Sequence, residues 1–294
     1  MPVKLERDVC RDFNETVSHE WVITNKHGGY AAGTVSGVLT RLRHGLLVAQ
    51  PPTETVPYVL LAKIDEEISF DQRSYYLGTN EYQNGTLRPV GFVHLETFFQ
   101  EDGTLIFTYY LGGKNDVMLE KRIWMPTDHN TTIIQYRAIS TNKIDGLDDG
   151  ESSENTQSAF ELTLLPFVTY HPYDQHLTEE EENPFCLQVH CTVAKTQSLG
   201  AAALPPAVGC TIQANPDALP LHLLAKGLPQ SQVVFIPTGV WYRHFLYRHD
   251  SATDNLYLPG VIRASLQAGK GDTLTVVVST EEQSEFLTSK EIPG

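Results

Sequence analysis

The feature that most constrains this chain is an alternation of apolar and polar residues with a period of two. Phe185, Leu187, Val189, Cys191 and Val193 fall on one side of an extended segment, with Gln188, His190 and Thr192 on the other. Ile262, Ala264 and Leu266 alternate with Arg263, Ser265 and Gln267, and Leu274, Val276 and Val278 with Thr273, Thr275 and Val277. Successive side chains of a strand point to opposite faces, so this is the pattern of strands with one face on a core. Residues 105–111 and 131–139 add runs of β-branched and aromatic types. Turn chemistry separates the runs: Asn84-Gly85, Asp102-Gly103, Gly112-Gly113 and the Gly269 to Gly271 segment. No window of about twelve residues carries a capped helical stripe. Many strands joined by short turns predict an all-β fold, a large antiparallel β-sandwich with few helices. The strand–helix alternation of nucleotide-binding α/β folds is missing.

Charge narrows the partners. The 294 residues carry a formal net charge of −15, so the basic footprint of a nucleic-acid binder is absent. An anionic membrane surface would repel the chain, and no run of about 18 apolar residues could span a bilayer. The first residues, MPVKLERDVCRDFNE, lack the apolar core of a secretory signal. Cys10, Cys186, Cys191 and Cys210 have no CxxC spacing and read as thiols of a reducing compartment, so a cytoplasmic location is expected. Residues 143–157, 178–183 and 281–294 are polar and without periodicity, which predicts solvated loops and a tail.

The stretch Trp21 to Ala49 holds five glycines beside Arg41, Arg43 and His44. It is not a phosphate loop: Gly28 and Gly33 have the spacing, but Thr34-Val35 follow where Lys and Ser/Thr are needed. Its glycines fit a turn at Gly28-Gly29 and close backbone approach at Gly33 and Gly37. Asn25, Tyr30, Arg41 and His44 interrupt otherwise apolar sequence, as members of a buried hydrogen-bond network or of a contact surface. His171 and His176 flank Asp174, but no closed Cys/His ligand set or HExxH appears, so no metal and no cofactor are expected. Acids such as Asp65, Glu66, Glu67, Glu96 and Glu120 are candidates by type alone for the paired carboxylates of a glycosidase. Trp21, Tyr30, Tyr75, Tyr76, Trp124, Trp241 and Tyr242 could stack on sugar rings, although rings more often serve as core.

EWVITNKHGGYAAGTVSGVLTRLRHGLLVAQ followed by VLLAKIDEEI resembles the N-terminal domain of prokaryotic-type glycogen debranching enzymes, the amylo-α-1,6-glucosidase family. Leu119–Tyr136 (LEKRIWMPTDHNTTIIQY), Gly239–Tyr247 (GVWYRHFLY) and Leu256–Gly260 (LYLPG) continue it in the family's order. The chain departs at Arg43, where the family has Tyr, and in Pro166 to Asp174, which lacks the family's Arg. It departs again at Asn255-Leu256-Tyr257, where acids are usual. The resemblance implies a β-supersandwich over residues 1–280 and a linker over 281–294, leading to a C-terminal (α/α)6 barrel that bears the catalytic carboxylates. The parent would hydrolyse α-1,6 branch points of glycogen, with this chain alone inactive. Asn25, Tyr30, Arg41, His44, Trp241 and Tyr242 are then candidates for contact with α-glucan or with the catalytic domain. Two alternatives stand beside this reading. One is a stand-alone α-glucan-binding module. The other is a sandwich-fold sugar-active enzyme using His94 with Glu96 as its acid/base pair.

Overall fold

A computed structural model describes residues 2–70, 72–112, 117–140, 159–177, 189–195, 207–228, 232–268 and 271–282. The loops expected at 143–157 and 178–183, most of the tail, Cys186 and the start of the 185–193 strand lie outside the described residues. In chain order the strands are β1 (Val3–Leu5), β2 (Glu20–Thr24), β3 (Tyr30–Thr34), β4 (Gly45–Ala49), β5 (Tyr58–Phe70), β6 (Arg73–Tyr76), β7 (Thr79–Glu81), β8 (Leu87–Val90), β9 (Leu95–Glu101) and β10 (Thr104–Tyr110). They continue as β11 (Val117–Trp124), β12 (Thr131–Ser140), β13 (Ala159–Pro172), β14 (His190–Lys195), β15 (Val208–Gln213), β16 (Leu221–Leu228), β17 (Val233–Tyr247), β18 (Ala252–Gln267) and β19 (Thr273–Ser279). Two short helices, α1 (Arg7–Cys10) and α2 (Phe13–Ser18), precede β2. Both are too short to leave a helical period in the sequence.

One sheet has the order β1-β9-β10-β11-β12-β19-β16-β15-β14. The other runs β17-β18-β13-β5-β4-β3-β2, with β6 also paired to β5, and β7-β8 form a separate hairpin. Neighbouring strands pair antiparallel in the register of a sandwich. The inward faces meet in one core. Phe98, Leu105, Leu119, Ile134 and Val276 come from the first sheet, and Leu47, Leu61, Leu162, Ile262 and Leu266 from the second. Each is at most 2 % exposed, and burying a side chain of this size contributes about 1.5–3 kcal/mol. The expected hairpin turns form: Asn84-Gly85 joins β7 to β8, and Asp102-Gly103, both at positive φ, joins β9 to β10. The last strand differs from its half-exposed pattern. Thr275 and Val277 are buried as well. Val277 stands between Ile133 of β12 and Leu224 of β16 in register, and all three are buried.

A second, smaller core lies on the far side of the β5-containing sheet. Ala62, Phe167, Leu256 and Leu258 pack there under Leu39 and Leu42 of the β3–β4 connection and under Phe245 and Tyr247. At the edge of this sheet β17 pairs with β18 in three separate pieces, because bulges fall between Pro237 and Val240 and between Tyr242 and Phe245. Val234, Ile236 and Val240 are exposed along it.

Ionic groups are buried inside the sandwich. Glu66 and Asp65 are adjacent on β5 and so face opposite ways. The Lys121 ammonium donates to Glu66 Oε1 at 2.5 Å and the Tyr136 hydroxyl donates to the same oxygen at 2.8 Å. On the other face Lys63 lies 2.8 Å from Asp65 Oδ1 and donates to the Gly37 and Thr79 carbonyls and to Asn80. Asn80 in turn donates to Asp65 Oδ2 at 2.6 Å. Four charged residues, each under 9 % exposed, are thus held as two pairs with extra donors and acceptors, the arrangement a buried ion pair requires.

Candidate functional site

The Trp21–Ala49 stretch builds one wall of the molecule. Along β2, Trp21 and Ile23 enter the core while Glu20, Val22 and Thr24 point outward. Gly33 is a close-approach position: a methyl group there would stand 2.9 Å from the Trp21 ring. Gly28, at φ +80°, makes the turn into β3. That turn is locked by Asn25, whose Oδ1 accepts from the His27 and Gly29 amides at 2.9 and 2.8 Å. Its Nδ2 donates to the His129 carbonyl and to Asn130 Oδ1, both at 2.8 Å, in the β11–β12 connection. Asn25 therefore ties the ends of the two sheets together.

On the outer side of β2 and β3 lies an open groove of about 490 Å³. Val22, Thr24 and Ala32 lie along it, and Tyr30, Arg43, His44, Pro57 and Tyr173 also line it. The Tyr30 hydroxyl donates to the Arg43 carbonyl at 3.1 Å. Burial pushes its pKa up to about 12, so it stays a neutral donor. Tyr173 is fixed by its amide, which donates to the Pro57 carbonyl at 2.9 Å. Behind the rim, β5 and β13 bring Tyr58 opposite Pro172. There a second depression of about 370 Å³ opens, bordered by Tyr58, Tyr170, His171, His176, Glu54 and Asp217. The Tyr58 and Tyr170 rings lie 4.8 Å apart, tilted by 40°. Apolar ring faces beside a few polar groups are what a sugar-binding surface offers.

At the end of the groove sits an ionic knot. Arg41 Nε donates to Glu20 Oε1 at 2.7 Å, and His249 Nδ1 lies 3.5 Å from the same oxygen. Burial would raise the Glu20 carboxyl, but the Arg41 hydrogen bond and the nearby charges hold it below its usual value. His44 is 2 % exposed. Its Nδ1 accepts from the Thr40 amide at 3.2 Å, and its Nε2 lies 3.8 Å from Glu20 Oε1. This is the bonding of a neutral ring. Burial lowers its pKa from 6.5 to about 4, against the opposing pull of Glu20. The folded state therefore binds fewer protons than the unfolded chain between these values, and stability falls as pH drops from 6.5 toward 4. The expected loss from this residue is about 3 kcal/mol. Urea denaturation across that pH range should show a shallower slope for His44→Asn than for the native chain. Equal slopes would remove His44 as the cause.

The sequence candidates thus divide. Tyr30 and His44 line the groove, Arg41 reaches it through Glu20, and Asn25 holds the turn beside it. Trp241 and Tyr242 do not join them. Trp241 packs on Tyr257 at 5.3 Å and beside Leu177, Ala214 and Ala218. Tyr242 turns the other way, edge-on to Phe167 in the second core. His94 and Glu96 do not form a pair either. Glu96 is held by Arg11, with Arg7 at 3.7 Å, while His94 stands edge-on to the Tyr75 ring. Glu20, Arg43, Pro57 and Tyr173 belong to the groove and were not singled out for it. Of these Arg43 had a signal, as a cation in the glycine-rich stretch and the residue at which the chain departs from the family's Tyr; Glu20, Pro57 and Tyr173 had none for this groove. Among the described residues no group of three or more His, Cys, Asp or Glu could hold a metal ion. No helix among them is long and apolar enough to cross a membrane.

Among solved structures, the chain is similar to a GalM/aldose epimerase homologue from C. elegans. The identity is 9 % over 88 % of this chain and 98 % of that one, with a TM-score of 0.44. It is also similar to a bacterial glucoamylase complexed with acarbose, at 9 % identity over 92 % of this chain and 34 % of that one, with a TM-score of 0.35. The chain thus spans about a third of that glucoamylase. No curated protein matches the sequence. The family model for the glycogen debranching enzyme N-terminal domain matches residues 19–273, and the chain belongs to that family.

Proposed function

We propose that this chain is the non-catalytic N-terminal sandwich of a cytoplasmic glycogen debranching enzyme. Residues 1–280 form the domain and 281–294 lead toward a C-terminal catalytic domain. The hydrolysis of α-1,6 branch points is carried by carboxylates of that domain, which this sandwich supports. The observation that carries the reading is the state of the buried acids. Asp65, Glu66, Glu81, Asp254 and Asp272 are each tied to lysine, arginine, histidine or amide partners. A glycosidase needs one carboxyl free to donate a proton and a second facing it across the scissile bond. The purified chain should release no glucose from a branched limit dextrin, and measurable release would sink the proposal.

The groove beside Tyr30 and Tyr173 supports a contribution to α-glucan binding. Its rings can stack on the C–H faces of glucose units while Arg43 and Glu20 meet hydroxyls. In affinity electrophoresis the chain should be retarded by glycogen in the gel. Tyr173→Ala should weaken that retardation by about tenfold, since a ring contact contributes on the order of 1 kcal/mol beyond its area. Mobility unaffected by glycogen would leave the domain as scaffold alone.

A further inference from the structure

The first sheet ends at β14, which pairs with β15 on one side and with no strand on the other among the described residues. The register sets Cys191 opposite Ile212 and Val193 opposite Cys210. Positions two apart on a strand share a face, so Cys191 and Cys210 are diagonal neighbours on adjacent strands and on the same side of the sheet. That side is the inner one. Cys210 is 0 % exposed within the main core, and the half-buried Cys191 packs against the same core. Val193, next along this face of β14, is 47 % exposed, so the rim at Cys191 is open to small reagents.

The two thiols are hydrogen-bonded to each other, with Cys210 donating to the Cys191 sulfur. This bond lowers the Cys191 pKa below that of an ordinary thiol, although burial opposes it. The same bond, together with burial, raises the Cys210 pKa. The pair is thus divided into a nucleophile at the rim and a thiol behind it that keeps its proton. Cys10 is the contrast. It is 0 % exposed, its thiol donates to the Leu5 carbonyl at 3.6 Å, and burial pushes its pKa up to about 11.

We propose that Cys191 and Cys210 form a reversible oxidation site for a hydroperoxide, in which Cys191 reacts first and Cys210 closes a disulfide that fastens β14 to β15. The Cys191 thiolate attacks one peroxide oxygen, the O–O bond breaks, and Cys191 becomes a sulfenic acid while the other oxygen takes a proton and leaves as water or an alcohol. The Cys210 sulfur then attacks the Cys191 sulfur. The S–O bond breaks, and the hydroxyl leaves as water with the Cys210 proton. Two electrons pass from the sulfurs to the peroxide, and a dithiol returns them by exchange. Diagonal Cα atoms stand about 7 Å apart, at the upper end of what a disulfide spans. The remaining approach falls to β14, which is held from one side only.

Peptide mapping of the full chain after treatment with hydrogen peroxide tests this. Trypsin cuts after Lys195, between the two cysteines, but leaves Cys186 on the Cys191 fragment, so the chain carries Cys186→Ser. The Cys191 and Cys210 fragments should be found linked, in material that runs as a monomer without reductant, and dithiothreitol should part them. Before oxidation, iodoacetamide should modify Cys191 about tenfold or more faster than Cys10. In Cys210→Ser, dimedone should trap a sulfenic acid at Cys191. In Cys191→Ser, Cys210 should stay reduced under the same peroxide. Circular dichroism checks that each variant folds, and Cys191→Ser, at the half-buried position, decides if Cys210→Ser does not. The proposal is overturned if the fragments are not linked, or if they are linked only between two molecules. It is also overturned if the link forms as readily in urea-unfolded chain, if Cys10 is oxidised as fast as Cys191, or if Cys210 is oxidised without Cys191.

Discussion

Replacing Lys121 with alanine is expected to destabilise the fold by about 3–5 kcal/mol, the usual cost of stranding one member of a buried ion pair. Glu66 is 3 % exposed and cannot turn to solvent. Without Lys121 it keeps only the Tyr136 hydroxyl at 2.8 Å. Burial, together with Glu66, raises the Tyr136 pKa well above its ordinary value, so that hydroxyl remains a donor but brings no charge. A triple replacement, Glu66→Leu, Lys121→Met and Tyr136→Phe, removes every member of the cluster at similar volume. It should recover most of the loss, because no group is left buried without a partner. Urea denaturation of the two variants measures both quantities. If Lys121→Ala unfolds at the native midpoint, or if the triple variant is the less stable one, the pair is not what the geometry says it is.

Asp254→Ala is expected to cost about 3–5 kcal/mol, because it leaves several buried donors without an acceptor, and to have a local signature. This carboxylate is 2 % exposed and serves four partners. Oδ1 accepts from the Leu177 and Asn255 amides at 3.3 and 2.8 Å. Oδ2 lies 3.1 Å from His171 Nε2 and accepts from the Tyr247 hydroxyl at 3.4 Å. His171 and Leu177 both border the depression beside Tyr58 and Tyr170. Losing Asp254 therefore frees the wall of that depression before the rest of the sandwich opens. Hydrogen exchange should quicken at the Leu177 amide by more than at core amides such as Leu119. Uniform acceleration across both sheets would mean that Asp254 acts on global stability alone.

The layers were legible in the sequence because their signals are local. Alternation at Ile262, Ala264 and Leu266 marks the inward face of β18, and those three are buried. Asn84-Gly85 and Asp102-Gly103 sit at hairpin turns because their backbone accepts positive φ. The Gly28-Gly29 turn and the close packing at Gly33 were likewise readable from the glycines. The groove was not legible. Its lining comes from β3, the residues before β4, Pro57 before β5 and Tyr173 after β13, and no periodicity records that these meet. Trp241 and Tyr242 show the opposite difficulty. Neighbours in sequence, they fall on opposite faces of one strand, so a pair that reads as one candidate surface is divided by geometry. Asp65 and Glu66 are divided in the same way, each toward its own lysine.

The broken pairing of β17 bears on whether another chain could add a strand to this sheet. The strand is an edge, and an unpaired edge is a template on which another chain can add a strand. Its regular pairing is limited to Val233–Pro237, Val240–Tyr242 and Phe245–Tyr247. Pro237 lacks an amide to donate, and Gly239 and His244 turn the chain into the left-handed region within the gaps. An incoming strand would lose register within a few residues, despite the exposed Val234, Ile236 and Val240. Smoothing these interruptions would therefore lengthen the sheet's hydrogen-bonding rim and turn an interrupted border into a seed for fibrous aggregation.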